Sequence, residues 1–128
     1  MNRVLIVDDS LIDRKIISTY LHQVGLDVDD AGSTKEAREK LAQYQPNLIV
    51  LDVSMERKSG FRIYQDLKAN RLTSSIPVII CTSKSTTADQ MWNELLETNS
   101  YLAKPVDKQG LLNQVQQLIG SKNKSNDL

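Results

Sequence analysis

Short apolar runs alternate along the chain with segments in which apolar residues recur at helical spacing. Three runs, Val4–Val7, Leu48–Leu51 and Val78–Cys81, are uninterrupted, as is typical of strands that are covered on both faces. Weaker strand candidates surround Val28 and the stretch 101–103. The pattern therefore predicts five strands.

Each predicted strand is followed by a segment whose apolar residues share one helical face. The five faces carry Ile17, Leu21 and Val24; Ala37, Leu41 and Tyr44; Ile63, Tyr64 and Leu67; Ala88, Trp92 and Leu95; and Leu111, Val115 and Leu118. Ser10 suits the N-cap of the first helix, and Ser33 with Glu36 forms a capping box for the second. The chain is thus a series of strand–helix pairs.

Repeated strand–helix pairs predict an α/β fold, because right-handed crossovers pack a helix between consecutive parallel strands. We expect a doubly wound, three-layer sandwich around a five-stranded parallel sheet in the common order 2-1-3-4-5. In that order the chain reverses direction between strands 1 and 3. A ligand should therefore lie beyond the carboxyl ends of those two strands.

Composition indicates one ordinary globular domain. Of 128 residues, 40% are apolar and 25% are charged. We assign residues 1–120 to the domain and residues 121–128 to a short polar C-terminal tail. The 16 basic and 16 acidic side chains balance, which gives no general attraction to nucleic acid. No apolar stretch is long enough for membrane insertion, and we expect the protein in the cytoplasm.

Polar side chains follow the predicted strands near the switch point. Strand 1 leads into Asp8 and Asp9, strand 3 into Asp52, strand 4 into Thr82 and strand 5 into Lys104. Any one of these has an ordinary explanation, since aspartate favours helix N-termini and a loop lysine is usually solvated. Three carboxylates at one corner, however, repel one another unless a cation lies among them.

The chemistry of these side chains favours a hard cation and a phosphoryl group. Carboxylate oxygens with no histidine or cysteine among them are ligands typical of Mg²⁺ or Mn²⁺. Lys104 adds a second positive charge, and Thr82 adds a hydroxyl. A metal ion, a lysine and a hydroxyl around a carboxylate can together stabilise a phosphoryl group.

Several motifs resemble those of one family. "VLIVDDS", "LIVLDVSM" with Gly60, "VIICTS" and "YLAKPV" look like the receiver domain of two-component response regulators, which has the flavodoxin-like, CheY-like fold. The likeness runs in order from residue 3 to about residue 119. "CTSKS" and "YLAKPVD" are also similar to stand-alone regulators of twitching or phototactic motility.

The resemblance implies a role for each residue at the strand ends. Asp52 would be the phosphoacceptor. Asp9, Asp52 and the backbone carbonyl of Ser54 would hold the metal, with Asp8 acting mainly through bridging water. Lys104 would contact the phosphoryl group, across a cis peptide bond to Pro105. Thr82 would turn toward the phosphoryl oxygen and Tyr101 would move inward. Ser54 and Lys84 would tune the lifetime of the acyl phosphate.

One residue departs from the family pattern. A proline often follows the methionine of the loop after strand 3, whereas here Glu56 follows Met55. The ordinary interpretation of Glu56 is a solvated side chain, and the alternative is a change in Mg²⁺ affinity.

The resemblance implies a signalling protein that assists its own phosphorylation and dephosphorylation and is not otherwise an enzyme. Its partners would be a sensor histidine kinase or phosphotransfer protein, and a downstream effector protein. Because the sequence stops soon after the fifth predicted helix, we expect output through that effector. The effector would dock on the fourth predicted helix, the fifth strand and the fifth predicted helix.

Three other functions remain as alternatives. A receiver could act by protein contact without phosphate. An aspartate-nucleophile phosphatase also places a carboxylate after a parallel strand, but generally with an Asp-x-Asp pattern, whereas Asp8 and Asp9 are adjacent. A flavin- or nucleotide-binding module is disfavoured because the five glycines form no cluster after strand 1.

Overall fold

The structure is a computed structural model that describes residues 2–55, 59–83 and 100–120. The strands are β1 (Arg3–Val7), β2 (Asp27–Ala31), β3 (Leu48–Asp52), β4 (Val78–Thr82) and β5 (Ser100–Ala103). The helices are α1 (Leu11–His22), α2 (Thr34–Gln43), α3 (Ser59–Ala69) and α4 (Lys108–Val115), with a π-helical turn at Gln116–Gly120. Our α4 corresponds to the fifth predicted helix.

The five strands form one parallel sheet in the order β2-β1-β3-β4-β5. The predicted α/β class and strand order are therefore confirmed, including the two strands with the weakest sequence signal. The predicted fourth helix, with Ala88, Trp92 and Leu95, lies outside the described residues. No helix in the described part of the chain is long and apolar enough to span a bilayer.

Apolar side chains of the central strands alternate between two buried layers. On one face Leu5 and Ile49 pack with Ala37 of α2 and Ile63 of α3. On the other face Val4, Ile6, Leu48 and Val50 pack with residues of α1 and α4 such as Ile17 and Leu111. Covered strands leave only their ends accessible, which is why a site forms beyond the carboxyl edge.

Three predicted helical positions differ from the structure. Helix α1 ends at His22 and the chain turns at Gly25, whose φ is 83°, so Val24 leaves the helix and is 52% exposed. Tyr44 follows α2 as its C-cap, and its hydroxyl donates a hydrogen bond to Asp29 Oδ2 at 2.8 Å. After α4 the π-helical turn buries Ile119 more deeply than Leu118, which still packs against the core layer of Leu111 and Val115.

Candidate functional site

The carboxyl ends of the strands meet at one corner of the sheet. Parallel register places Asp8, which follows β1, next to Asp52 at the end of β3. Thr82 ends β4, and its carbonyl accepts the N–H of Lys104 at 2.9 Å. The fold therefore brings together side chains that lie up to about a hundred positions apart in the chain.

Lys104 is the cation at the centre of this corner. Its Nζ lies 2.7 Å from Asp8 Oδ2, 2.9 Å from Asp13 Oδ2 and 3.0 Å from Asp52 Oδ2. Burial alone would lower the pKa of Lys104, but its contacts with these three carboxylates outweigh burial and raise it. One ammonium thus faces three carboxylates and remains charged.

Asp8 is 1% exposed and only partly satisfied. Its Oδ1 accepts the Ser10 N–H at 2.9 Å. Its Oδ2 contacts Lys104 Nζ as an ion pair without hydrogen-bond geometry, and has no hydrogen bond within the described part of the chain. Burial raises the pKa of Asp8 to about 6, against the opposing effect of Lys104 and the Ser10 N–H. A buried carboxylate oxygen without a directed donor suits a metal ligand.

Asp52 is 3% exposed and is held from both sides. Its Oδ1 accepts the backbone N–H of Ser54 at 2.8 Å and the Ser54 hydroxyl at 2.5 Å, while its Oδ2 accepts Lys104 Nζ. The Ser54 hydroxyl in turn accepts the N–H and the hydroxyl of Ser83, at 3.3 and 3.1 Å. These contacts join the loops after β3 and β4 around one carboxylate.

Gly60 allows the first turn of α3 to approach the backbone of Asp52 closely. A Cβ at Gly60 would lie 2.2 Å from the Asp52 carbonyl oxygen and 2.7 Å from the Val53 Cα. Such contacts cannot be relieved by a side-chain movement, since both are with backbone atoms. Glycine at this position therefore sets how closely α3 packs against the backbone that follows β3.

A divalent cation fits the acidic side of the corner. One carboxylate oxygen from each of Asp8, Asp9 and Asp52 lies within 4.8 Å of the others. Asp9 is exposed, which leaves an approach from solvent, whereas Asp8 and Asp52 are buried. Three carboxylates are the oxygen donors that Mg²⁺ prefers, and the Asp8 carboxylate has one oxygen, Oδ2, without a hydrogen bond in the described part of the chain. The residues present thus match the predicted cofactor.

The remaining predicted site residues lie on β4 and β5. Thr82 is 2% exposed at the end of β4. Tyr101 on β5 is 38% exposed, and its carbonyl accepts a hydrogen bond from Gln114 of α4 at 2.8 Å. The Lys104–Pro105 peptide bond is cis.

Comparison with known proteins settles the family. Residues 4–116 match the family model described as response regulator receiver domain. The chain belongs to the response regulator receiver domain family. It is 33% identical to Protein PilG of Pseudomonas aeruginosa over 119 residues, which cover 93% of this chain and 88% of PilG. It is 32% identical to Protein PilH of the same organism over 119 residues, covering 93% of this chain and 98% of PilH.

Solved structures agree with the sequence match. The chemotaxis protein CheY4 of Vibrio cholerae superposes with a TM-score of 0.81 at 25% identity, covering 93% of this receiver and 99% of CheY4. A response regulator from Desulfuromonas acetoxidans gives a TM-score of 0.78 at 29% identity, covering 94% of this receiver and 98% of that chain. The predicted CheY-like receiver fold is confirmed.

Three contacts of this receiver, made by Asp13 and Arg14, were not predicted from its sequence. Asp13 of α1 bonds to Lys104, and Arg14 donates from Nη1 to the Asp8 carbonyl at 2.7 Å and from Nε to Asp30 Oδ2 at 2.7 Å. The available signal was an acid three residues after the N-cap Ser10, which is a position that contacts the helix start. Glu56 and Lys84 lie outside the described residues, so the predictions that concern them stand as they were.

Proposed function

We propose that Asp52 accepts a phosphoryl group from a phosphohistidine of a sensor histidine kinase or phosphotransfer protein. Receiver domains are signalling proteins whose partners are histidine kinases and effectors. The observation that carries the proposal is the arrangement around Asp52: Lys104 Nζ lies 3.0 Å from its Oδ2, and Asp8 and Asp9 each offer a carboxylate oxygen within 4.8 Å. A nucleophile thereby lies next to both an ammonium and a candidate cation site.

In the transfer step an Asp52 carboxylate oxygen forms a P–O bond as the P–N bond of the donor breaks. The bonding pair leaves with the imidazole nitrogen, which takes a proton from solvent. Asp8, Asp9, Asp52 and the Ser54 carbonyl would hold Mg²⁺, which when bound supplies positive charge against the repulsion between carboxylate and donor. Lys104 turns from the Asp52 oxygen to a phosphoryl oxygen and stabilises its charge.

The negative charge added at this corner then acts on β4 and β5. Thr82 moves to donate its hydroxyl to a phosphoryl oxygen, and Tyr101 moves inward from its exposed position. Since β5 is tied to α4 through Gln114, this changes the surface formed by the fourth predicted helix, β5 and α4. An effector protein would bind that surface, and Ser54 and Lys84 would set the lifetime of the phosphorylated state.

The pathway proposed is a motility response. CheY4, with which this chain shares its fold and 25% of its residues, is described as a chemotaxis protein. The matches cover 88% of PilG and 98% of PilH, so in both of these relatives the receiver makes up most of the chain. Cytoplasmic location stays a prediction.

Intact-mass measurement tests the proposal. Incubation with Mg²⁺ and acetyl phosphate should add the mass of one phosphoryl group, and the addition should be absent in Asp52→Asn. Asp66→Asn is the matched control, because Asp66 is an exposed carboxylate that pairs with Arg38 away from the corner. No mass gain in the wild type would instead favour a receiver that acts by protein contact without phosphate.

A further inference from the structure

Helix α1 begins with an incomplete capping box. Ser10 is its N-cap, and the Ser10 hydroxyl accepts the N–H of Asp13 at 3.2 Å. In a complete box the acid at this third helical position returns the contact by accepting the N-cap N–H. Here Asp8 Oδ1 already accepts the Ser10 N–H at 2.9 Å. The carboxylate of Asp13 is therefore available for another partner.

That partner is Lys104, 91 residues further along the chain. Asp13 Oδ2 accepts a hydrogen bond from Lys104 Nζ at 2.9 Å, and the two side chains are 32% and 10% exposed. The other two carboxylates on Lys104, those of Asp8 and Asp52, also belong to the candidate cation cluster, whereas Asp13 does not. Of the three described carboxylates that contact Lys104, only that of Asp13 would not also be a ligand of a bound cation.

We propose that Asp13 is a positioning residue for Lys104, an inference that rests on the proposed phosphoryl transfer. When a cation is held by Asp8 and Asp52, their charge is shared with it, and the ammonium and the cation repel each other. The lysine stem has four rotatable methylenes, so an ammonium without a fixed partner moves easily. Asp13 keeps Lys104 Nζ beside Asp52, where Nζ must contact the phosphoryl oxygen.

Helix capping is the competing explanation, because an acid in the first turn also stabilises a helix through its dipole. Helix α2 offers a matched control. Glu36 occupies the same third position after the N-cap Ser33, and its Oε1 accepts the Gly32 N–H at 2.6 Å. Glu36→Gln therefore measures the loss of an acid at a helix start without any contact to Lys104.

The first measurement is the rate of phosphorylation by acetyl phosphate at saturating Mg²⁺. Asp13→Asn keeps the shape of the side chain and removes its charge, and should slow the reaction about five- to tenfold, because an amide oxygen accepts from the ammonium more weakly than a carboxylate. Glu36→Gln should leave the rate unchanged. An unchanged or faster reaction in Asp13→Asn would overturn the proposal.

A double-mutant cycle separates action through Lys104 from a general structural effect. In a Lys104→Met background, Asp13→Asn should cause no further loss of rate. Equal fractional losses in the two backgrounds would show that Asp13 acts independently of Lys104, and would overturn the proposal.

The second measurement does not depend on phosphorylation. In ¹⁵N-lysine-labelled protein at one fixed pH, the Lys104 ammonium signal, assigned by its absence in Lys104→Met, should be protected from solvent exchange with and without Mg²⁺. Asp13→Asn should shift this signal and remove the protection, whereas Glu36→Gln should do neither. If Asp13→Asn changes neither the shift nor the exchange protection of the Lys104 signal, the proposal is overturned. If the wild type takes no phosphate yet shows this dependence, the proposed function fails and the positioning role stands.

Discussion

Two acidic regions of the receiver differ in the number of basic residues that pair with their carboxylates. Along the edge strand β2, aspartates pair one to one with basic residues that are close to the surface: Arg3 with Asp27 at 3.0 Å, Arg14 with Asp30 at 2.7 Å and Lys40 with Asp29 at 2.7 Å. At the carboxyl corner one ammonium, Lys104, is shared by three carboxylates and is nearly buried. Only the second arrangement leaves an excess of negative charge out of water.

The pKa values of the two regions reflect this difference. At Asp29 burial would raise the pKa, but hydrogen bonds from Lys40 and Tyr44 outweigh it and lower the pKa. At Asp8 burial dominates and raises the pKa to about 6. A balanced network of this kind stabilises an edge strand and discourages it from pairing with other strands. Because its pKa is raised, ionised Asp8 should destabilise the metal-free fold, and a perturbed pKa of this kind is typical of functional sites.

The largest contrast should come from the two lysines. Lys104→Met should slow phosphorylation by acetyl phosphate about 100-fold or more, because it removes the ammonium that stabilises the phosphoryl oxygens. Lys40→Met should leave the rate within about twofold and lower the free energy of unfolding by about 1 kcal/mol, because its ion pair with Asp29 is only partly buried. Rates are followed by intact mass, and equal losses in both variants would end the distinction between the regions.

Neutralising one aspartate in each region should have opposite effects on the stability of the metal-free protein. The folded-state pKa of Asp8 is raised, so its contribution to stability is present below pH 4 and is lost as pH rises through about 6. Asp8→Asn should therefore stabilise the protein at pH 8 by up to about 3 kcal/mol, and by almost nothing at pH 4.

Asp29→Asn serves as the comparison in the same denaturation series with EDTA. Its lowered pKa means that ionised Asp29 stabilises the fold at neutral pH, and that this contribution is lost as pH falls through the folded-state pKa. The variant should thus be slightly less stable than the wild type at pH 8. Destabilisation by Asp8→Asn at pH 8 would contradict the account of the corner.

Magnesium should stabilise the wild type by binding the folded state alone. At ten to one hundred times the dissociation constant, the gain is about 1.4 to 2.7 kcal/mol, seen as a rise in Tm between EDTA and Mg²⁺ in calorimetry. The rise should shrink in Asp9→Asn, which removes a predicted ligand, and persist in Asp29→Asn. A rise of equal size in both variants would place the cation elsewhere.

The strand order and the side chains that meet at the carboxyl ends of the strands were predictable from the sequence for the same reason. Continuous apolar runs define buried parallel strands, and such strands end at one edge, so Asp8, Asp52, Thr82 and Lys104 had to meet once the strand order was known. The edge strand β2 has a weak apolar signal because three of its five residues, in the run "DVDDA", are acids paired by other elements. The sequence position of β2 was predicted mainly from the alternation of strands and helices along the chain.

The contact between Asp13 and Lys104 could not be predicted in the same way. It depends on Asp8 accepting the Ser10 N–H, which redirects Asp13 from the capping box. The sequence pattern around Ser10 predicts where the helix starts. It does not show whether Asp8 or Asp13 accepts the Ser10 N–H. The deeper burial of Ile119 was not predicted either, because a π-helical turn changes the helical period, although Leu118 packs against the same core layer as predicted.

The central claim is that the unbalanced corner exists to place a phosphoryl group on Asp52. After incubation with Mg²⁺ and acetyl phosphate, borohydride reduces an aspartyl phosphate to homoserine, and peptide mapping then locates the reduced residue. We expect homoserine at position 52, dependent on Mg²⁺ and the donor, and none at Asp29 or Asp66. Homoserine at another aspartate, or at none, would contradict the claim.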